Sequence, residues 1–252
     1  MFRFPLIGIW DDIKNLNPNF KFLVTLFILL SIIYFDSTLQ IKLINFKHLQ
    51  DIYIPNNKYL NILIPAICLM LLLNAYNMSD GINGLACIIF LSWSIYLIVK
   101  FPFLISLFVS IILSVLLFLY FNLKNKAFLG DGGNYFLSML LGTVVIKLNN
   151  YQVNSIYAEE IFLLFLIPGI DMLRLFITRI KNKKNPFSGD RNHFHHYLLN
   201  RYGLQNSVLI YFIIINSPLY IYLLFNINLL FLIIANVFFY FLLIRKSVLK
   251  KI

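Results

Sequence analysis

Long apolar runs separated by short polar stretches dominate the chain, and this pattern predicts helices that cross a membrane. A spanning helix needs about 17–25 predominantly apolar residues. The sequence offers about eight such runs, near residues 19–35, 58–75, 82–99, 103–121, 133–148, 158–178, 207–225 and 227–245. We therefore expect an all-α, polytopic transmembrane protein that forms a single membrane-embedded domain over residues 1–252.

The stretch between the first two runs has a different pattern. Residues 39–55 alternate between apolar and polar side chains. This alternation is typical of a small β-hairpin, and it also suits a segment that lies on the membrane surface. Both interpretations stay open, and the histidine within the stretch, His48, is expected to be an ordinary interfacial residue.

Composition excludes a soluble globular domain. The chain is 60% hydrophobic and 12% charged, whereas soluble domains carry about 25% charged residues. The formal net charge of +11 is assigned to loop lysines that face anionic lipid headgroups. No alternation of aromatic and basic residues typical of a nucleic-acid module is present, so we expect a membrane-lipid partner and no nucleic acid.

The distribution of basic residues predicts the orientation. If the first 18 residues face the cytoplasm, most of the 21 lysines and arginines fall on that side, as the positive-inside rule requires. The same face then receives most of the aspartates and three of the histidines. We therefore expect a multi-pass protein of the inner (cytoplasmic) membrane whose active-site loops face the cytoplasm and bind an anionic substrate.

Two adjacent carboxylates, Asp11 and Asp12, precede the first predicted span in the sequence GIWDD. Two like charges this close repel each other unless a cation lies nearby. The pair is a candidate for catalysis, and the alternative is a solvated loop before a helix.

The segment NAYNMSDGINGLA places Asn74, Asn77, Asp80 and Asn83 three residues apart, at the end of one span and the start of the next. At helical pitch this spacing keeps the four side chains on one face. Polar groups at membrane depth are costly without a partner, which favours a functional site over a plain polar turn.

The segment FNLKNKAFLGDGGNYF places Asn122 at the end of a span and Asp131 among three glycines. A carboxylate in a glycine-rich bend at a helix start is suited to holding Mg²⁺ beside phosphate oxygens. The alternative is a turn with a capping aspartate.

The segment NPFSGDRNHFHHYLL carries Arg191, His193, His195 and His196. The spacing matches no common zinc site, and an arginine with several histidines suits the binding of a diphosphate. A metal site and an ordinary loop are the alternatives. Nearby, Asp171 and Arg174 are three residues apart within an apolar run, which predicts an ion pair inside the membrane.

In order and approximate spacing, these four segments resemble the polyprenyl-phosphate N-acetylhexosamine-1-phosphate transferases. That superfamily begins the lipid intermediates of enterobacterial common antigen, O-antigen, teichoic acid and peptidoglycan. The resemblance implies a UDP-N-acetylhexosamine donor, an undecaprenyl phosphate acceptor, release of UMP, and dependence on Mg²⁺ with Mn²⁺ as an alternative. The form of the histidine segment is closer to the branch that uses simple N-acetylhexosamines.

Carried over by position, the resemblance implies catalytic roles for Asp11, Asp12 and Asp80 and a metal-binding role for Asp131. The residues that it implies in substrate binding are Asn77, Asn83, Asn122, Arg191, His193, His195 and His196. Asn83 stands where many members have a second aspartate. Members normally carry further helices before the aspartate pair, so this chain is expected to be short at its N-terminus relative to the family.

Three alternatives remain open at this point. An inactive or split-gene remnant of the family would keep the motifs without the activity. A membrane transporter would place polar residues near the middle of spans and show inverted repeats, whereas here they lie at span ends. A homodimer is compatible with the sequence.

Overall fold

The computed structural model describes residues 3–55, 57–151, 155–186 and 190–248 of the 252-residue chain. Residues 187–189, inside the histidine-rich segment, lie outside the described residues. The described chain forms nine α-helices: α1 (Arg3–Lys14), α2 (Pro18–Phe35), α3 (Lys58–Ser79), α4 (Leu85–Lys100), α5 (Ile105–Leu123), α6 (Gly130–Asn150), α7 (Ala158–Lys181), α8 (Phe194–Phe225) and α9 (Leu229–Val248). It also contains two short strands, β1 (Leu43–Ile44) and β2 (Ile52–Tyr53), and two short 3₁₀ helices, Ser37–Leu39 and Pro102–Leu104.

The prediction of an all-α, polytopic membrane protein is confirmed. Each of the eight predicted spans coincides with one of the helices α2 to α9. Over the residues that the structure describes, six helical segments are long and apolar enough to cross a bilayer: Pro18–Phe35, Lys58–Ser79, Pro102–Leu123, Ala158–Lys181, Phe194–Phe225 and Leu229–Lys246. Helix α4 is apolar but shorter, with 16 residues, and α6, which covers the predicted span near residues 133–148, is not among the six. Helix α1 is an addition to the prediction, because its segment is helical instead of a loop.

The chain divides into two compact units. The first unit consists of residues 1–77 and 130–165, and the second consists of residues 78–129 and 166–252. Both units take residues from separate parts of the chain. The expected single membrane domain stays a prediction.

Apolar side chains of α2, α3 and α6 form the core of the first unit. Leu29, Ile33, Leu69, Tyr135 and Met139 are all buried there. Helix α1 adds to this core through Ile7 and then runs against the start of α6. At that contact Gly8 and Gly132 have no side chains, so the two helix backbones can approach each other closely.

The segment between α2 and α3 is a β-hairpin, which decides between the two interpretations of its alternating pattern. Strands β1 and β2 pair antiparallel, with Leu43 opposite Tyr53. Asn149 at the end of α6 donates from Nδ2 to the carbonyl of Leu43 at 2.8 Å. The buried carboxylate of Glu159 accepts from the N–H groups of Lys47 and His48, both at 3.0 Å. Side chains of α6 and α7 thus fasten the hairpin within the first unit.

In the second unit, α4 is largely buried among its neighbours. Trp93 is fully buried, and the Phe90 ring lies 6.3 Å from that of Phe108 on α5. Asn216 on α8 donates from Nδ2 to Ser92 Oγ at 3.0 Å. Helix α8 changes direction at Gly203, whose φ of 76° suits glycine. A short helical segment that begins at Phe194 therefore precedes the spanning part of α8.

Candidate functional site

The aspartate pair lies on the last turn of α1, in the first unit. The N–H groups of Asp131 and Gly132 donate to Asp12 Oδ1 and Oδ2, at 2.9 and 3.2 Å. The first amides of a helix have no partner within the helix. Asp12 therefore supplies, from another helix, the cap that the N-terminus of α6 needs, and its negative charge suits that end of the helix.

Glycines allow this close approach. A Cβ atom at Gly8 would overlap the backbone of Asp131 and Gly132, and one at Gly132 would lie 2.8 Å from Ile9 Cγ1. At Gly130, where φ is +64°, a Cβ would lie 2.6 Å from Asp12 Oδ2. The glycines that the sequence places around Asp131 thus position the aspartate pair against the start of α6.

Lys21 joins the predicted carboxylates, and sequence reasoning missed it. Its Nζ donates to Asp11 Oδ2 at 2.7 Å and also pairs with Asp131 Oδ2. These side chains are between 17% and 20% exposed, so water screens the charges only in part. In the sequence, Lys21 is only one of the many basic residues on the predicted cytoplasmic side. The available signal was its position, ten residues after Asp11 and close to the start of a span.

The carboxylates of the first unit fit a divalent cation only in part. Over the described residues, no group of three or more His, Cys, Asp or Glu side chains is arranged to hold a metal ion. Asp11 and Asp131 nevertheless bracket one positively charged nitrogen, so this place accepts a cation. Their oxygens are the ligands that Mg²⁺ prefers, with water and substrate phosphates completing its coordination.

Asn77 and Asn134 connect α3 to α6. Asn134 donates from Nδ2 to Asn77 Oδ1 at 3.1 Å. The expectation that the polar side chains from Asn74 to Asn83 share one helical face is wrong beyond Asn77. Helix α3 ends at Ser79, because the chain turns there and α4 begins after Gly84, which has a left-handed backbone.

In the second unit, the turn between α3 and α4 carries Asp80 and Asn83. The buried Asn122 accepts from the N–H of Gly84 at 2.6 Å and donates to the carbonyl of Ala127 at 2.8 Å. Asn83 donates from Nδ2 to Asn125 Oδ1 at 2.5 Å. Asn122 therefore holds the turn in place, and its contact with substrate stays a prediction.

The three histidines form a compact group at the start of α8. The rings of His193 and His195 are stacked at 5.1 Å, and those of His195 and His196 are 4.2 Å apart. His195 is 1% exposed, and its Nε2 has no hydrogen-bond partner. A Cβ atom at Gly81 would overlap this nitrogen. The turn that carries Asp80 thus lies against the histidine group, with only a glycine at the point of contact.

The predicted ion pair between Asp171 and Arg174 is confirmed at 2.8 Å, and it belongs to a larger network. Tyr240 of α9 donates from its hydroxyl to Asp171 Oδ1 at 2.7 Å. The N–H of Phe194, the first residue of α8, donates to both Asp171 oxygens at 3.1 Å. Asp171 is therefore connected to the histidine segment, which the sequence did not indicate.

A second pair fastens the loop that precedes the histidines. Arg179 Nε donates to Asp190 Oδ2 at 2.8 Å, and its Nη1 donates to the carbonyl of Pro186 at 2.7 Å. Burial alone would raise the pKa of Asp190, but the hydrogen bonds from Arg179 and from the Asn192 N–H lower it below its ordinary value. Arg191, next in the chain, is exposed, so its guanidinium is accessible to a ligand.

Comparison of the sequence with known proteins assigns the chain to a family. The sequence profile described as glycosyl transferase family 4 matches residues 1–149, more than half of the chain. The match includes both aspartate segments of the first unit and the turn with Asp80. The chain belongs to glycosyl transferase family 4.

Curated relatives carry a more specific name, undecaprenyl-phosphate alpha-N-acetylglucosaminyl 1-phosphate transferase. The protein of that name from Thermotoga maritima is 28% identical over 214 residues, which cover 83% of this chain and 64% of the relative. Those from Escherichia coli K12 and Yersinia pestis are 28% and 26% identical and align with 50% of this chain, which is 37% and 38% of their own lengths. The chain thus spans between about one third and two thirds of these relatives.

Each unit therefore holds its own part of the predicted residues. The first unit brings together Asp11, Asp12 and Asp131 with Lys21, and holds Asn77 against α6. The second unit brings the turn of Asp80 and Asn83 to the group of His193, His195 and His196. The side chain of Asn83 is engaged with Asn125.

Proposed function

We propose that this chain transfers an N-acetylhexosamine 1-phosphate from a UDP-sugar to undecaprenyl phosphate and releases UMP. Family membership and the name of the relatives support the sugar-phosphate transfer to a lipid phosphate. The observation that carries the proposal is the group of Asp11, Asp12 and Asp131, held at the N-terminus of α6 around the ammonium of Lys21. Such a group suits a reaction between two phosphate-bearing substrates, because it balances fixed negative charge against a cation.

In the proposed reaction an oxygen of the lipid phosphate attacks the phosphorus atom that bears the sugar. A P–O bond forms there, and the P–O bond to UMP breaks with its electron pair leaving on the UMP oxygen. Asp11 or Asp12 takes up the proton of the lipid phosphate as a base. A covalent aspartyl intermediate is the alternative route, in which the aspartate attacks first and UMP leaves before the lipid phosphate reacts. Release of UMP in the absence of the lipid phosphate distinguishes the two.

The remaining residues bind and orient the substrates. Arg191 neutralises charge on the donor diphosphate, and the three histidines donate N–H hydrogen bonds to its oxygens. Asp80 takes part in catalysis from the turn that adjoins the histidines. Asn77 and Asn83 donate hydrogen bonds to substrate oxygens. Asp131 and Asp11 would hold Mg²⁺, which supplies neutralisation of the diphosphate charge when bound. We place these groups at the cytoplasmic face, where the soluble donor is found.

The decisive experiment measures UMP release from UDP-N-acetylhexosamines by the purified chain with detergent-solubilised undecaprenyl phosphate, with and without Mg²⁺ or Mn²⁺. Asp131→Asn should lose most turnover and the metal dependence together. Asp51→Asn, which changes a carboxylate in the hairpin of the same unit, should keep wild-type turnover. A folded chain that releases no UMP with any donor would favour the inactive or split-gene alternative. Wild-type turnover in Asp131→Asn would contradict the metal-binding role.

Sidedness needs a separate test. Single cysteines at Lys14, beside the aspartate pair, and at Lys183, in the loop before the histidines, should both react with an impermeant maleimide only from the cytoplasmic side. Cysteines at these positions in a chain that lacks Cys68 and Cys87 avoid background labelling. Labelling of the two positions from opposite sides would overturn the proposed common face.

A further inference from the structure

Helix α8 begins without a cap of its own. His193 occupies the N-cap position with an extended backbone, and its side chain makes no capping hydrogen bond. The first amide of α8, the N–H of Phe194, is buried and donates to both oxygens of Asp171 at 3.1 Å. A carboxylate from α7 therefore accepts the hydrogen bond that a serine or aspartate at the N-cap would normally accept.

The same carboxylate lies close to the ring of His193. His193 Nδ1 lies 3.4 Å from Asp171 Oδ2. Arg174, paired with Asp171, donates from Nη2 to the carbonyl of Asn192 at 2.5 Å. The residues on both sides of His193 are thus tied to the Asp171–Arg174 pair, which limits the rotation of its ring.

The last helix completes this arrangement. Tyr240 is fully buried, and its hydroxyl donates to Asp171 Oδ1 at 2.7 Å while accepting from Arg174 Nε at 3.0 Å. Its ring lies 4.9 Å from that of Phe194. Arg174 alone would neutralise Asp171, so the further donors from α8 and α9 indicate that the carboxylate also orients the helix start.

We propose that Asp171 and Tyr240 are positioning residues that fix the start of α8, and with it His193 and His195, in the orientation that receives the donor phosphates. The part of this inference that concerns the donor rests on the proposed function. The part that concerns the orientation of the histidines stands on the geometry alone. The two parts have separate measurements.

The informative variant is Tyr240→Phe, which removes one hydroxyl and keeps the ring against Phe194. Asp171→Asn is the second variant, because it keeps the shape of the side chain and removes its charge. Tyr220→Phe is the matched control, since Tyr220 lies on α8 and takes no part in these hydrogen bonds. Thermal unfolding in detergent shows that each variant is folded before further measurement.

The first measurement is the rate at which diethyl pyrocarbonate modifies each histidine, followed by mass spectrometry. In the wild type, His193 and His195 are 6% and 1% exposed and should react slowly, whereas the exposed His48 serves as an internal reference. Loss of a hydrogen bond to a charged group should raise the rates at His193 and His195 by roughly tenfold in Tyr240→Phe. Asp171→Asn should raise them further.

The second measurement is the KM for the UDP-sugar and for the lipid phosphate. Tyr240→Phe should raise the KM for the UDP-sugar by roughly tenfold and leave that for the lipid phosphate unchanged. Unchanged histidine reactivity in both folded variants would overturn the inference. A fall in kcat alone, without a change in reactivity or KM, would also overturn it. If the wild type releases no UMP, the proposed function fails and the reactivity still decides the positioning.

Discussion

Asp12 on α1 accepts a hydrogen bond from the N–H of Asp131, which lies 119 residues further along the chain. The aspartate pair and the glycine-rich segment are therefore joined directly, through a side chain on one helix and the backbone of another. Taken alone, the sequence of the aspartate pair also suits a solvated loop before a helix, and that of the glycine-rich segment also suits a turn with a capping aspartate. The contact shows that Asp12 does cap a helix, and that this helix is α6.

This relationship predicts a local effect on stability. Asp12→Ala should cost about 1 kcal/mol of unfolding free energy, because the first amides of α6 lose their partner. Hydrogen exchange at Asp131 and Gly132 should accelerate in this variant, and Asp12→Asn, which keeps one acceptor oxygen, should show a smaller effect. Asp51→Ala removes a comparable hydrogen bond between a carboxylate and a backbone amide, that of the Phe46 N–H, and should leave exchange at residues 131–132 unchanged. Unaltered protection in Asp12→Ala would show that the cap is not formed.

A second prediction concerns Lys21. In Lys21→Met, Asp11 and Asp131 keep their charges and lose the ammonium between them, so unfolding without divalent cations should become easier by about 1–2 kcal/mol. Mg²⁺ should restore more stability to this variant than to the wild type, because the vacated place between the carboxylates attracts a cation.

Thermal unfolding at increasing Mg²⁺ concentration tests this difference and does not depend on turnover. Lys14→Met, at an exposed position on α1, is the control and should respond to Mg²⁺ as the wild type does. Equal Mg²⁺ responses in Lys21→Met and the wild type would contradict the prediction that Lys21 and the metal compete for one place.

Gly81 and Gly169 form a matched pair of substitutions. Alanine at Gly81 would overlap His195 Nε2, so Gly81→Ala should destabilise the chain by about 1–3 kcal/mol and reduce turnover. Alanine at Gly169 on α7 would meet no atom within 4 Å. Gly169→Ala should therefore be neutral or stabilising by up to about 1 kcal/mol, since alanine favours the helix. Similar unfolding temperatures and turnover for the two variants would show that the contact between Gly81 and His195 is unimportant.

The loop before the histidines should respond to acid. The pKa of Asp190 is lowered in the folded chain, so its pair with Arg179 contributes fully above the ordinary aspartate pKa of about 3.9. That contribution is lost as the pH falls through the lower folded value. A spin label at Lys183→Cys should become more mobile over that acidic range.

In Asp190→Asn the same label should be mobile at every pH. Asp36→Asn, at a capping aspartate of the first unit, serves as the control and should follow the wild-type pH profile. A wild-type loop whose mobility did not change with pH would argue against the role of the Asp190–Arg179 pair.

The sequence predicts the helices well because spanning helices need long apolar runs, and these are visible without any tertiary information. It also identifies Asp11, Asp12 and Asp131, because adjacent acids and glycine-rich bends are local patterns. It does not reveal Lys21 or Tyr240. Their roles come from contacts between residues far apart in the chain, and a single lysine or tyrosine at a span carries no local signal.

The expectation for Asn83 failed for a related reason. Three-residue spacing predicts one helical face only while the helix continues, and the sequence pattern does not show that α3 stops at Ser79. Gly81 lies in the turn that follows α3, where it leaves room for the imidazole of His195. That contact depends on a helix that begins more than a hundred residues later.

The hairpin offers a practical opportunity. Its strands are two residues long, and Asn149 and Glu159 already occupy main-chain groups of the hairpin segment, while Leu49 and Gln50 at the tip are exposed. A short epitope inserted between these two residues should leave folding and turnover intact. Antibody access to it in intact cells and in inverted vesicles would then give the sidedness of the chain from a place that takes no part in the chemistry.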